Sequence, residues 1–226
     1  MKKIIIFLGL ILFVSTVVQA QDPNNQQDPN NKKKEKKEQK PIKGIGFKAG
    51  LNFANVTNAE SINSSNQTGF MVGVFLAPPS KSIISSKTEL IYSKQGYNYK
   101  TNTNSGNVNL NYLIIPQSMG INITRFVQLQ VGFQMAFLLN ASADSTTSSG
   151  GSNPYGAIMD YYNKFDYGLG AGIEIYPIRN LLIGVKYNVS FGDMYKTPEP
   201  GEPMPGFIPS VDAKNNVVQF FAGLRF

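Results

Sequence analysis

Eight times along this chain apolar side chains alternate with small or polar ones, and no long stretch carries a 3.6-residue period. In 44–54, Ile45, Phe47, Ala49, Leu51 and Phe53 share one face, against Gly46, Lys48, Gly50 and Asn52. In 84–99, Thr88, Leu90 and Tyr92 oppose Lys87, Glu89, Ile91 and Ser93. In 109–121, Leu110, Tyr112 and Ile114 form the apolar stripe, against Asn109, Asn111 and Leu113. The same period runs through 68–77, 126–138, 164–176, 181–191 and 216–226. Most segments are about ten residues long, the length a tilted β-strand needs to cross a bilayer. The connections sort by length: 55–67, 100–108, 139–163 and 192–214 are long and polar, whereas 78–82, 122–125 and 177–180 are short. Strict alternation of long and short, with an even strand count, predicts an all-β fold. The fold expected is an eight-stranded antiparallel transmembrane β-barrel with both termini on the side of the tight turns. Pro116 removes a ladder donor inside the fourth segment, so a bulge or break is expected there, and the alternation loses phase at Met119 and Ile121.

Period two does not say which face is outside. A soluble barrel of the lipocalin kind turns its apolar face inward, and a membrane barrel turns it toward lipid. The polar face carries seven charges, Lys48, Lys87, Glu89, Asp166, Glu174, Lys186 and Arg225, too few for a freely solvated surface. Four cations and three anions can instead pair across a narrow lumen, with Glu89 opposite Lys48, Lys87 or Lys186. Glycines on the same face (Gly46, Gly50, Gly168, Gly170, Gly172, Gly184, Gly223) leave room for long neighbours inside. The apolar stripes end in Phe53, Tyr92, Tyr112, Tyr187, Phe191 and Phe226, as an interfacial girdle does. These features place the apolar face outside.

The N-terminus carries its own signals. Lys2-Lys3, the apolar run Ile4–Val14 and Val18-Gln19-Ala20 make residues 1–20 a secretory signal peptide. Residues 21–41 repeat QDPNN and continue as a Lys-rich run without aromatic or large aliphatic residues, so they read as a disordered spacer. The barrel then occupies 42–226. The net charge of +7 is no nucleic-acid footprint, because 42–226 holds 13 Lys or Arg against 10 acids.

Cys, His and Trp are absent. That excludes disulfides, zinc sites built on Cys or His, and histidine-based triads. Asp166 and Glu174 share a face but stand eight residues apart on one strand, too far to act as a catalytic pair at about 3.3 Å per residue. No catalytic residue, cofactor or metal is expected. Three external features remain. Asp144-Ser145-Thr146 makes Ser145 a candidate O-glycosylation site. Residues 197–209 hold five prolines and read as a rigid loop. Tyr155, Tyr161 and Tyr162 read as interfacial anchors.

The ending VVQFFAGLRF, with Phe220, Ala222, Leu224 and Phe226 at alternate positions, resembles the C-terminal signal read by the outer-membrane barrel assembly machinery. The stretch 42–226 resembles the small outer-membrane β-barrel family of Bacteroidota, labelled porin-family or PorT-like. The matching pieces are GFKAGLNFA, TGFMVGVF, TELIYSKQGYNY, NLNYLIIP and KFDYGLGAGIEIY. The resemblance implies a Gram-negative outer-membrane location, a periplasmic N-terminal tail, and contact with outer-membrane lipid, the assembly machinery and a periplasmic or surface protein. It implies activity only weakly. The expected role is structural or surface-interacting through the external loops. The alternatives are a narrow ion or solute channel, or an accessory part of a secretion or gliding apparatus.

Overall fold

The computed structural model describes residues 44–57, 63–80, 82–100, 105–145, 158–196 and 213–226. The leader and spacer at 1–41, Tyr155, the Pro-rich stretch 197–209 and the side chain of Ser145 lie outside what is described.

Eight strands form one closed sheet: β1 (Ile45–Thr57), β2 (Ser65–Leu76), β3 (Ile84–Lys100), β4 (Ser105–Asn122), β5 (Val127–Ser145), β6 (Phe165–Ile178), β7 (Leu181–Ser190) and β8 (Lys214–Arg225). Every neighbour is antiparallel, and β1 closes on β8 with Gly46 opposite Arg225 and Thr57 opposite Lys214. Gly44 N–H donates to the Phe226 carbonyl, so the seam ends where the described chain ends. One rim therefore carries both ends and the connections 77–83, 123–126 and 179–180; it is called the terminal rim below. The opposite rim is the loop rim.

The apolar face points outward, as the charge count and the glycines required. Phe47, Leu51, Phe70, Val74, Val131, Phe133, Leu169, Ile173, Ile183 and Phe220 are all exposed. Lys48, Lys87, Glu89, Glu174 and Lys186 are buried. On β1 the outward apolar run is Ile45 to Phe53, and on β8 it is Val218 to Phe226. Nine tilted residues span about 23 Å, close to the ~25 Å apolar band of such barrels. Rings gather at its loop-side edge: Phe70 with Tyr92, and the chain Phe137, Phe165, Tyr167, Phe191, at centroid spacings of 5.4–6.3 Å.

The structure corrects the sequence reading in three places. β3, β4 and β5 run to 17, 18 and 19 residues, absorbing parts of the expected loops 100–108 and 139–163. The first two loop-rim connections shrink to 58–64 and 101–104, no longer than 77–83 at the terminal rim, so length does not alternate strictly. The Asn- and Ser-rich residues that suggested loops continue the ladder instead, with Asn107 opposite Asn98 and Asn109 opposite Gly96.

Second, Leu110, Tyr112 and Ile114 face the lumen, so Tyr112 is no girdle residue. Third, Met119 and Ile121 stay in phase. β4 alternates without a slip, pointing Val108 to Ile114 inward above the apolar band and Leu113 to Ile121 outward within it. The hydrophobic face changes sides while the strand does not. Pro116 does leave its expected mark: β3–β4 pairing jumps from Thr88↔Gln117 to Ile91↔Ile114. The one bulge in β4–β5 lies elsewhere, where Tyr112 faces Leu138 and Asn111 faces Asn140, leaving Leu139 extra.

Glycine sets how closely the wall coils. A Cβ on Gly50 would lie 2.1 Å from the Phe220 carbonyl oxygen and 2.7 Å from the Phe221 Cα, both backbone atoms that no rotamer change can move. Gly50→Val is expected to destabilise the barrel by about 3 kcal/mol, the upper end of overpacking costs. The variant should lose the unboiled fast-migrating band on a denaturing gel, and retention of that band at wild-type midpoint would contradict the packing described.

Candidate functional site

The lumen is where this sequence spends its polar residues, and side chains fill it in layers. Nearest the terminal rim, Gln130 Nε2 donates to Gln128 Oε1, Gln128 Nε2 donates to Ser85 Oγ and Asn122 Oδ1, and Tyr176 OH donates to Glu174 Oε2.

The next layer holds the charges. Lys48 Nζ meets Glu89 Oε2 at 2.7 Å, both side chains without solvent exposure. Lys87 Nζ meets Glu174 Oε1 at 2.6 Å and also reaches its second oxygen. Lys186 donates to Ser118 Oγ at 3.1 Å and feels the fields of Glu89, Lys48, Lys87 and Glu174. Rings complete the layer: the Lys48 ammonium lies 4.2 Å from the Phe221 centroid, and that of Lys87 lies 5.0 Å from Phe75. Each cation therefore has a carboxylate or hydroxyl in line and, for two of them, an aromatic face. The glycines make this possible. A Cβ on Gly46 would strike Phe75 Cζ at 2.3 Å, one on Gly184 would strike Phe221 Cζ at 2.5 Å, and one on Gly170 would meet Asn188 and Lys186.

Above the charges lies an amide layer. Asn52 donates to Ser93 Oγ, Gln219 donates to Asn52 Oδ1, Gln95 donates to Ser93 Oγ, and Asn215 donates to Gln95 Oε1. Above that, the loop mouth is closed by tyrosines. Tyr97 OH lies 2.8 Å from Tyr162 OH and accepts from Tyr195 OH at 2.9 Å. Burial pushes the Tyr162 and Tyr195 hydroxyls well up, so both phenols stay protonated at any physiological pH. Val56, Tyr99, Val108, Leu110, Tyr112, Ala141, Ala143, Ile158 and Met194 pack around them. Two segments beyond the strands are folded in to supply this plug, tied by the Tyr162↔Tyr195 bridge and by Asn163 N–H to the Met194 carbonyl.

The seven predicted lumen charges thus separate into a group and two outliers. Lys48, Lys87, Glu89, Glu174 and Lys186 come together. Asp166 sits at the loop rim, where its carboxylate accepts from the Tyr167 and Gly192 backbone N–H groups. Arg225 sits at the terminal rim over Tyr176. Each lies at an end of its strand's lumen face, too far along the axis to join the central layer. Tyr162, read as an interfacial anchor, is buried in the plug. Alternation alone does not predict the plug. Its signal was available, because the face of Lys87, Glu89 and Ser93 continues directly to Tyr97 and Tyr99. Phe220, Ala222, Leu224 and Phe226 share the outward face of β8, with Phe220 edge-on to Phe53 and Phe226 against Phe47. Ser145 pairs with Gly106 at the loop-rim end of β5. No cluster of three or more metal-binding side chains occurs among the described residues.

A closed eight-stranded wall, apolar outside and filled with paired polar groups inside, defines an outer-membrane β-barrel. The comparisons agree. The chain belongs to the outer membrane protein beta-barrel domain family, whose model matches residues 20–196. Among solved structures, Neisserial surface protein A of Neisseria is similar at 13% identity and TM-score 0.51, over 82% of this chain and 99% of that one. The attachment invasion locus protein Ail of Yersinia pestis is 15% identical, over 82% of this chain and 100% of that one, with a TM-score of 0.45. OprG of Pseudomonas aeruginosa is 10% identical over 82% and 97%, with a TM-score of 0.39. Likenesses at this identity concern the fold alone. No curated protein sequence matches the chain.

Proposed function

We propose that this protein is a closed, non-catalytic barrel that works from its surfaces, presenting the loop rim to the cell exterior and its termini and 21–41 spacer to the periplasm. The observation that carries this reading is the layered lumen: among the described residues, charges, amides and tyrosines occupy it in turn, which favours a sealed interior over a conducting one. What remains for function is the part of β3–β5 that stands above the apolar band. Its inner face is locked to the tyrosine plug. Its outer face presents Lys94, Asn98, Asn107, Asn109 and Asn140. A platform of three bonded strands displays such groups more rigidly than a loop, which suits docking of a surface protein partner, while a periplasmic partner would meet the opposite, terminal rim. The outward wall meets outer-membrane lipid, and the β8 stripe Phe220, Ala222, Leu224 and Phe226 would serve recognition by the barrel assembly machinery. Ser145, at the tip of the same platform, is our candidate for a surface glycan.

Planar-bilayer recording on the purified, folded protein is the test. No unitary steps are expected. Steady conductance steps with the plug intact would overturn the closed-lumen reading and favour the narrow channel. The PorT-like alternative, an accessory role in secretion or gliding, would use the same platform. Its signature is a deletion strain that fails to export particular cargo while its envelope stays intact.

A further inference from the structure

The terminal rim holds a polar cleft that the layers above do not use. It encloses about 60 Å³, room for a few waters or one small polyatomic anion, and its lining includes Ser85, Lys87, Asn122, Gln128, Tyr176 and Arg225. Most of those groups are already satisfied. Lys87 is held by Glu174, and Gln128 and Asn122 are bonded to each other and to Ser85 and the Ser82 carbonyl. Arg225 is the exception. Among the described residues its Nε is buried without a hydrogen-bond partner, and Nη2 reaches only the Arg179 carbonyl, at 3.4 Å. Neither ion pair among the described residues includes it. The Tyr176 ring, 5.0 Å from the guanidinium carbon, limits where the fork can turn.

A guanidinium has five donors and no acceptor, and burying one of them unpaired is unfavourable. The surroundings favour an anion as the missing partner. The described residues of this rim, 44–45, 77–80, 82–84, 121–127, 176–182 and 224–226, contain Arg125 and Arg179 besides Arg225 and no Asp or Glu side chain. The nearest carboxylate deeper in the lumen, Glu174, is spent on Lys87 and Tyr176. We infer that this cleft is an oxyanion site, in which Arg225 Nε and an adjacent guanidinium N–H grip two oxygens of a phosphate or carboxylate group. The cleft admits the anionic head of a ligand and not a bulky body.

The chain has three arginines, so 15N-arginine labelling of the full mature protein in zwitterionic detergent gives three Nε–Hε signals. Inorganic phosphate and acetate are titrated separately at constant ionic strength. The expected result is a saturating shift of the Arg225 signal with Arg125 and Arg179 unmoved. Phosphate alone shifting it assigns a phosphate-bearing ligand; acetate acting equally assigns a carboxylate. Arg225→Lys keeps the charge but loses the fork, and phosphate affinity, read from 31P line broadening, should fall about tenfold or more. Three signals moving in parallel would mean an adventitious ion only, and no movement would mean ordered water at most. Either result overturns the site.

Discussion

Lys48→Met is expected to lower the stability of the folded barrel by about 3–5 kcal/mol, because it strips a buried carboxylate of its partner. Glu89 Oε2 receives its hydrogen bond from Lys48, and Oε1 has none. Lys186 and Lys87 lie in the same layer but contribute field and no hydrogen bond to that carboxylate. The double variant Lys48→Met/Glu89→Leu removes the orphaned charge together with the pair and should regain most of the loss. Urea unfolding in phospholipid vesicles measures both. The losses in Lys48→Met and in Glu89→Leu alone should be strongly non-additive, since the partners share one hydrogen bond. Equal midpoints for wild type and Lys48→Met would mean that water reaches this layer freely, and the sealed lumen would have to be abandoned.

The second large effect belongs to the outer wall. Val131 stands near the middle of the outward apolar run of β5 and is 44% exposed. Arginine there should cost about 2–4 kcal/mol, the penalty for a cation at the bilayer midplane. Asn140 also points outward on β5, beyond the aromatic edge marked by Phe137 and Phe165. Asn140→Arg should cost no more than about 1 kcal/mol. The contrast between two outward sites on one strand reads the position of the membrane boundary directly. Similar costs at both sites would place that boundary elsewhere.

The outward stripes of β1, β2, β5, β6, β7 and β8 and the inward placement of Lys48, Lys87, Glu89, Glu174 and Lys186 follow from alternation and charge, and the structure has them so. β4 shows where that logic stops. Its apolar residues lie inward above the band and outward within it, because the solvent on the outer side changes from water to lipid partway along the strand. A pattern that tracks hydrophobicity registers this as a slip, and alternation alone puts Leu110, Tyr112 and Ile114 on the wrong face for that reason. Asp166 and Arg225 illustrate a second limit. Parity assigns a side chain to the lumen but not its height along the axis, and pairing depends on height. The tyrosine plug needed a third kind of information. Tyr162 and Tyr195 reach it from segments outside the strands, whose course no periodicity records.

The β1–β8 seam has a consequence for the order in which the molecule can be made. Gly46 bonds across to the strand containing Arg225, so the first wall to be synthesised waits for the last before either edge is satisfied. Until then both edges expose ladder groups that would pair with any other strand. Contacts between such distant parts of a chain form slowly. A barrel of this design therefore spends its immature life as an open sheet with two reactive edges. Its yield in a living envelope will depend on how well those edges are kept apart from those of its neighbours until the seam closes.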